Sequence, residues 1–440
     1  MGAIGVGLVG WGTVGSGVIR VLRENADVIE SRLGVSLELR RVADLDLVRP
    51  RAEQVAPELL TSRVDDILDD PDIQIVVELM GGLGAAREVI CSALARKKHV
   101  VTANKALLAH YGNELFDVAR RNERSIGFEA SVAGGIPFIK ALREGLAANR
   151  IWTIFGILNG TANYILTRMT ESGLAFEDAL QEAQDKGYAE ANPALDVEGV
   201  DAAHKLAIAS AIAFGTPIQF DQVYTEGISR IDPLDIQFGE EFGYQLKLLA
   251  IARNTDGRLD MRVHPTLIPR RHVLASVKGA YNAVHIEGNA VGDIMLYGMG
   301  AGMMPTGSAV VSDLMDLGRD ILGKTPCRMP PLGCQSERLN QMSIKPIADV
   351  VTCYYLRFAV VDRPGVLSII AGILGAHQIS IAAVMQKGRQ IEGAVPIVML
   401  THEALESNVR NALTEIDRLD VVLGPPRLIR VEDRDAGLLY

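Results

Sequence analysis

The chain opens on an alternation of small and apolar residues, Ala3-Ile4-Gly5-Val6-Gly7-Leu8-Val9, which runs into a glycine-rich loop, Gly10-Trp11-Gly12-Thr13-Val14-Gly15. Val14, Val18, Val21 and Leu22 then recur at helical spacing and predict an amphipathic helix. Strand patterns follow at Leu37–Ala43, ending at Asp44, and at Asp72–Leu79, closed by Gly81-Gly82. A helix from about Ala85 to Arg96, a strand at His99-Val100-Val101 and a helix after Asn104-Lys105 continue the series. Such alternation predicts a parallel sheet with crossover helices. After about residue 135 the regularity falls. Helical stretches (Phe176–Lys186, Ala202–Phe214) mix with strand-like runs near Trp152–Leu158 and Val284–Ile286, and predict an α+β domain. Its glycine-rich end, Gly298 to Gly307, opens a helix through Val311 to Leu317. Pro326, Pro330, Pro331 and Pro346 punctuate a linker. Beyond it come a strand (Tyr354–Val361), a turn at Asp362-Arg363-Pro364-Gly365, a helix (Val366–Ala376), strands at Ile379–Met385 and Ala394–Leu400, a helix (Glu403–Leu419) and a strand (Val421–Val431). That order, βαββαβ, is ferredoxin-like.

Composition narrows the class. A chain of 440 residues is too long for one ordinary core, so two or three domains are expected. A formal charge of -10 argues against a nucleic-acid binder, which needs a basic face. Cys91, Cys327, Cys334 and Cys353 are widely spaced and form no Cys-x-x-Cys pair, which suits reduced thiols better than disulfides or zinc. No basic segment precedes the first strand, so no secretory signal is expected. The longest apolar run, Leu206 to Phe220, is too short to span a bilayer and contains Gly215 and Pro217. No membrane partner and a cytoplasmic location are expected.

The glycine spacing carries a mechanism. Gly10 makes the tight turn, Gly12 lets the backbone approach a pyrophosphate, and Gly15 lets the helix pack close to the strand. The helix N-terminus then offers free N–H groups and the positive end of its dipole. A turn without a ligand would use the same glycines, but their place between a strand and a helix supports a Rossmann domain holding NAD or NADP. Asp44 would accept from the adenosine 2′-hydroxyl of NAD and repel a 2′-phosphate. Arg49 and Arg51 follow closely and would hold that phosphate, or are simply solvated. The acid tips the reading towards NAD, with NADP open.

Two segments carry reaction chemistry. Lys105 follows a sheet strand, where open α/β sheets bind ligands, and a cation at a helix start is otherwise unfavourable. In Gly199-Val200-Asp201-Ala202-Ala203-His204-Lys205, Asp201 and Lys205 share one helix face at i, i+4. An exposed ion pair is the plain alternative, but the apolar run after Lys205 argues for burial, and buried charges need partners. His204, His264 and His285 lack metal-ligand spacing and are read as structural.

At these residues the chain resembles homoserine dehydrogenase. The segment from Ala183 through Gly187, Asn192-Pro193, Asp196, Gly199 and Asp201 to Lys205 matches the family signature. Gly156-Ile157-Leu158-Asn159-Gly160-Thr161-Ala162-Asn163-Tyr164-Ile165-Leu166-Thr167 also matches, except that Ala162 stands where threonine is common. So do Asn104-Lys105 and Gly300-Ala301-Gly302 with Pro305-Thr306-Gly307, and the Asp362-Arg363-Pro364-Gly365-Val366-Leu367 turn resembles an ACT domain. No fused aspartokinase is expected within these 440 residues.

The resemblance implies an α/β enzyme with a Rossmann domain (1–136, with a return of about 300–325), an α+β catalytic and dimerisation domain (137–325), a linker (326–350) and an ACT domain (351–433). It implies interconversion of L-homoserine and L-aspartate 4-semialdehyde. Lys205 would donate the proton and Lys105 would sit beside the same oxygen. Glu190, Asp196, Asp201, Lys105 and Thr161 form the implied substrate set. Gly10, Gly12, Thr13, Val14, Gly15, Asp44, Thr102, Lys105 and Gly302 form the cofactor set. Sodium would be held by Glu129 and the carbonyls of Val132, Gly134 and Ile136, or the glycines there serve a domain crossover without metal. A nearby Lys105 charge would lower the Lys205 pKa. A homo-oligomer, dimer or tetramer, and threonine as effector near Gly365, Gln378-Ile379-Ser380 and Gln386 are also implied. Two readings compete: a related dehydrogenase acting on another amino-acid aldehyde, and an inactive ACT sensor, against which stands the presence of both lysines.

Overall fold

The first strand, β1 (Ala3–Val9), is buried along nearly its whole length, as a strand covered by helices on both sheet faces must be. The computed structural model describes residues 2–325, 328–386 and 394–433. Contacts divide the chain into two units. One comprises Met1–Gly160, Asp201–Val223 and Tyr281–Met342, and the other Thr161–Val200, Tyr224–Ala280 and Ser343–Tyr440.

In the first unit, β1 joins β2 (Ser36–Ala43), β3 (Leu60–Thr61), β4 (Ile75–Glu78), β5 (His99–Thr102) and β6 (Ile126–Gly127) in the order β3-β2-β1-β4-β5-β6. All pairs are parallel. This is the doubly wound nucleotide-binding order, and it places the loops after β1, β4 and β5 at one edge. The helix Thr13–Glu24 buries Val18, Ile19, Val21 and Leu22, the periodicity predicted from sequence. The helix Met303–Gly323 crosses it where glycine meets glycine. A Cβ on Gly17 would lie 2.0 Å from the Met303 carbonyl oxygen, and one on Gly307 would lie 2.6 Å from Gly17. Asn104 caps the helix Lys105–Arg121 by accepting from the Leu107 N–H at 3.0 Å. Strands β7 (Ile151–Ile157), β11 (Tyr281–Gly288) and β12 (Gly292–Met299) pair antiparallel.

In the second unit, β9 (Tyr244–Thr255) and β10 (Arg258–Pro269) form a long hairpin, with the short β8 (Tyr224–Thr225) beside β10. The C-terminal strands are β13 (Val351–Val360), β14 (Ile381–Met385), β15 (Val395–Thr401), β16 (Ala404–Leu405) and β17 (Arg427–Val431). Their order β17-β13-β15-β14 is that of a ferredoxin-like fold, and the helices Val366–Ala376 and Glu406–Ile416 pack on it through Ile370, Leu374, Val409 and Ile416. Strand β17 also pairs parallel with β10, Thr266 opposite Arg430 and Leu267 opposite Val431.

Some elements differ from expectation. The strand expected over Val421–Val431 is confined to Arg427–Val431, because Gly424-Pro425-Pro426 cannot sustain a ladder. The helix expected over Glu403–Leu419 covers Glu406–Ile416, after the two-residue strand β16. Pro326 and Cys327, expected in the linker, lie outside the described residues. Among those described, Cys91, Cys334 and Cys353 are free thiols, and no helix is long and apolar enough to cross a membrane.

Candidate active site

The glycine loop is built as its spacing demands. Gly10 is left-handed (φ 101°), and a Cβ there would lie 2.5 Å from the Leu79 carbonyl carbon. A Cβ on Gly15 would lie 2.4 Å from the Gly10 carbonyl oxygen, which keeps the helix close to the strand. Gly12 faces open space, with nothing within 4 Å of its Cβ position. Two glycines serve packing and the third leaves room for a phosphate, so these residues fit a dinucleotide.

Asp44 is placed at the end of β2, but it is already engaged. Its Oδ2 accepts from the Trp11 N–H at 2.7 Å. Its Oδ1 accepts from the Asp46 N–H at 2.9 Å and from Arg51 Nη2 at 3.2 Å. The Arg51 guanidinium lies over the Trp11 ring, 5.5 Å from its centroid. Of the two arginines considered beside Asp44, Arg51 is the one that reaches it.

Asp201 and Lys205 project from the helix Val200–Phe214, and Asp201 sits in its first turn, where the helix dipole favours an anion. Lys205 Nζ donates to Asp201 Oδ2 at 2.7 Å and to the Leu158 carbonyl at 2.7 Å. Lys105 Nζ stands 3.2 Å from Asp201 Oδ1. The carboxylate therefore lies between the two ammonium groups, so the like-charge contact expected from sequence is mediated by an anion. Burial acts to raise the Asp201 carboxyl, but Lys205 and Lys105 outweigh it and hold it well below the usual carboxylate range. The side chain of Lys205 is 10% exposed and that of Lys105 is 42% exposed, so the second lysine faces solvent while the first is enclosed.

Two supporting residues escaped the sequence reading. Asn159 Nδ2 donates to Asp201 Oδ2 at 2.8 Å, and Asn282 Nδ2 donates to the Leu158 carbonyl at 3.0 Å. Asn159 lies in a motif already singled out. Asn282 comes from a distant strand, and only Gly300 hints at it: a Cβ there would overlap the Asn282 amide at 2.1 Å. Gly302, left-handed at φ 116°, begins the helix that follows.

Thr161, Glu190 and Asp196 belong to the other unit. There, Thr161 Oγ1 donates to the Tyr188 carbonyl at 2.6 Å, and Gln184 Nε2 donates to the Glu190 carbonyl at 3.2 Å. Asp196 sits on the short helix Ala194–Val197.

Glu129 is 2% exposed, and its two oxygens accept from the N–H groups of Ile139 and Lys140 at 2.9 and 2.8 Å. Burial, reinforced by Asp313, pushes this carboxyl up to about 7. Ala133 and Gly134 are both left-handed (φ 60° and 53°), which makes a tight turn of the segment between Val132 and Ile136. The expected structural histidines are buried. Desolvation pushes His204 down to about 4 beside Phe220, and holds His264 and His285 below their ordinary values.

Comparison with known proteins settles the family. Residues 10–129 match the family model of the homoserine dehydrogenase NAD-binding domain, 137–315 that of homoserine dehydrogenase, and 354–421 that of the ACT domain. A homoserine dehydrogenase of Neisseria gonorrhoeae is 47% identical over 433 residues, covering 98% of this chain and 99% of that protein. The chain belongs to the homoserine dehydrogenase family. The crystal structure of a homoserine dehydrogenase from Thiobacillus denitrificans superposes with a TM-score of 0.93 at 51% identity, covering 98% of each chain. A hyperthermophilic archaeal homoserine dehydrogenase in complex with NADPH superposes with a TM-score of 0.61 at 26% identity, over 74% of this chain and 99% of that one. The chain is thus an oxidoreductase with a nicotinamide-binding domain and a C-terminal ACT domain, and the expected α/β architecture holds.

Proposed function

We propose that the protein interconverts L-homoserine and L-aspartate 4-semialdehyde, with Lys205 as the proton donor. The observation that carries this reading is the pair of ammonium groups bracketing the buried Asp201 carboxylate. A bound nicotinamide cofactor supplies the hydride in reduction and takes it in oxidation. Lys205 gives its proton to the aldehyde oxygen as negative charge develops there, and Lys105 stabilises that charge. Asp201, the Leu158 carbonyl and Asn159 hold Lys205 in place. Glu190, Asp196 and Thr161 are assigned to the substrate's polar groups. Gly10, Gly12, Thr13, Val14, Gly15, Asp44, Thr102, Lys105 and Gly302 are assigned to the cofactor.

The enzyme is expected to take NADP as well as NAD, since Arg51 offsets the acid that would repel a 2′-phosphate. Initial rates with homoserine and each cofactor test both points. Arg51→Ala should raise KM for NADP about tenfold and KM for NAD less than about threefold, the loss of one charge-assisted phosphate contact. Equal changes would refute the assignment, and absence of homoserine oxidation with either cofactor would refute the function. L-Threonine added to the same assay should inhibit, by binding the ACT domain near Gly365, Gln378-Ile379-Ser380 and Gln386. Gly365 and Gln378 are left-handed there, at φ 89° and 61°.

A sodium ion held by Glu129 and the carbonyls of Val132, Gly134 and Ile136 is the assignment for the turn that follows Glu129. One hard carboxylate with backbone carbonyls suits such an ion, and the tight turn at Ala133-Gly134 suits close carbonyls. Replacing choline chloride by sodium chloride at equal ionic strength should raise the melting temperature by a few degrees, about what a ligand near 100 times its Kd supplies. Glu129→Gln should abolish the difference. A rise of the same size in Glu129→Gln would dismiss sodium at this site.

We assign nucleotide binding to residues 1–136, catalysis and dimerisation to 137–325 and regulation to 351–433, with a linker over 326–350. A homo-oligomer, dimer or tetramer, is supported by Trp152, Tyr297 and Met299, which are exposed on β7 and β12. A cytoplasmic location is supported by the three free thiols among the described residues.

A further inference from the structure

Strand β4 is apolar until its last residue, Glu78, a carboxylate with no exposed surface. Such a group is costly to bury unless every lone pair is used. Glu78 Oε2 accepts from Thr102 Oγ1 at 2.7 Å, and Oε1 accepts from the N–H groups of Met80 and Gly81 at 2.9 and 3.3 Å. Thr102 must therefore point its only hydroxyl hydrogen at Glu78, which leaves its oxygen to accept. It accepts from the Asn104 N–H at 3.0 Å. Asn104 in turn caps the helix that starts at Lys105, and its Nδ2 donates to the Gly82 carbonyl at 2.7 Å. One carboxylate thus fixes the polarity of a closed chain of hydrogen bonds linking the loop Met80-Gly81-Gly82 to the segment Thr102–Lys105. Both loops leave the carboxyl ends of adjacent strands, β4 and β5, where open α/β sheets bind ligands.

We propose that Glu78 is a positioning residue for the dehydrogenase reaction: through Thr102 and Asn104 it sets the loop facing the cofactor and the first turn that presents Lys105. The inference rests on the dehydrogenase reading above. Glutamine at 78 does not reproduce it, because an amide that accepts from Met80 and Gly81 must donate to Thr102, whose own hydroxyl hydrogen then loses its acceptor at Glu78.

Titration of NADPH by its fluorescence measures cofactor affinity without any substrate, so its outcome stands apart from whether homoserine is the substrate. Glu78→Gln should weaken NADPH binding about tenfold and lower kcat about tenfold, with KM for homoserine changed less than about threefold. Thr102→Val should behave alike. The double variant Glu78→Gln/Thr102→Val should be no worse than about threefold beyond either single, because both cut the same link. NADPH affinity and kcat within twofold of wild type in Glu78→Gln, even with a lowered melting temperature, would overturn the proposal. So would multiplicative losses in the double variant. If Glu78→Gln does not fold, Thr102→Val decides: wild-type affinity and kcat there overturn it as well.

Discussion

Lys205→Met should lower kcat for homoserine oxidation by about a thousandfold while KM for homoserine changes by less than about threefold, the split expected when a general acid–base group is lost. The side chain is enclosed, tied to Asp201 and Leu158, and placed beside the carboxylate that Lys105 also meets. Lys205→Arg separates two contributions. A guanidinium keeps the positive charge but does not release a proton, so kcat should stay low if proton transfer matters and recover if charge alone does. Normal turnover in Lys205→Met would remove the assignment altogether. The direction of reaction gives a second handle. Lysine in water titrates at about 10.4, so an amine that must accept a proton from homoserine works better in alkali. Oxidation should therefore quicken from neutral to alkaline pH, whereas reduction should not. In Lys205→Met the alkaline rise should vanish, and a flat wild-type profile with chemistry rate-limiting would contradict the role.

What could be read in advance follows from how local each feature is. The glycine loop was legible because its three glycines answer to backbone sterics within a few residues. Asp201 and Lys205 were legible because i, i+4 spacing on a helix fixes a shared face. Asn282 was not, since its amide reaches the Leu158 carbonyl from 124 positions away. The hairpin β9–β10 also escaped the reading, although Asp256-Gly257, both left-handed at φ 52° and 78°, is a standard two-residue hairpin turn. Its strands are buried on both faces over most of their length, so the alternation that marks a strand is missing and the runs look helical. Strands β3 and β6 are two residues each, too short to leave a periodic trace. Asp44 was located correctly, yet its engagement by Trp11 and Arg51 depends on a loop with no pattern.

Glu406→Gln should cost about 3 kcal/mol and lower the melting temperature by roughly 10 °C, although residue 406 lies in the C-terminal module and far along the chain from Lys205. Arg430 and Glu406 are 1% and 0% exposed and pair at 2.6 and 2.9 Å. Tyr354 donates to the same carboxylate at 3.0 Å, Arg410 donates to it at 2.8 Å, and Arg430 reaches Glu226 at 2.9 Å. Neutralising Glu406 leaves a buried guanidinium with, among the described residues, only the half-exposed Glu226 to balance it, which is the costly case for a buried pair. Adding Arg430→Met should then recover part of the loss, because it removes the stranded charge. A fall of less than about 2 °C in Glu406→Gln, or a further fall in the double variant, would refute this account. The sign with pH is fixed too. Burial acts to raise the Glu406 carboxyl, but Arg430 and Arg410 bring it below its ordinary 4.5. Its contribution is therefore present above that value and lost as the pH falls through the lower folded value, so wild type and Glu406→Gln should converge in acid. The same residues explain why the ACT sheet does not stand alone: Arg430 lies on β17, which pairs with β13 on one side and with β10 on the other. An effector that shifts this sheet acts on a strand hydrogen-bonded to the hairpin, and a destabilised Glu406 variant should lose the threonine inhibition proposed above before its activity.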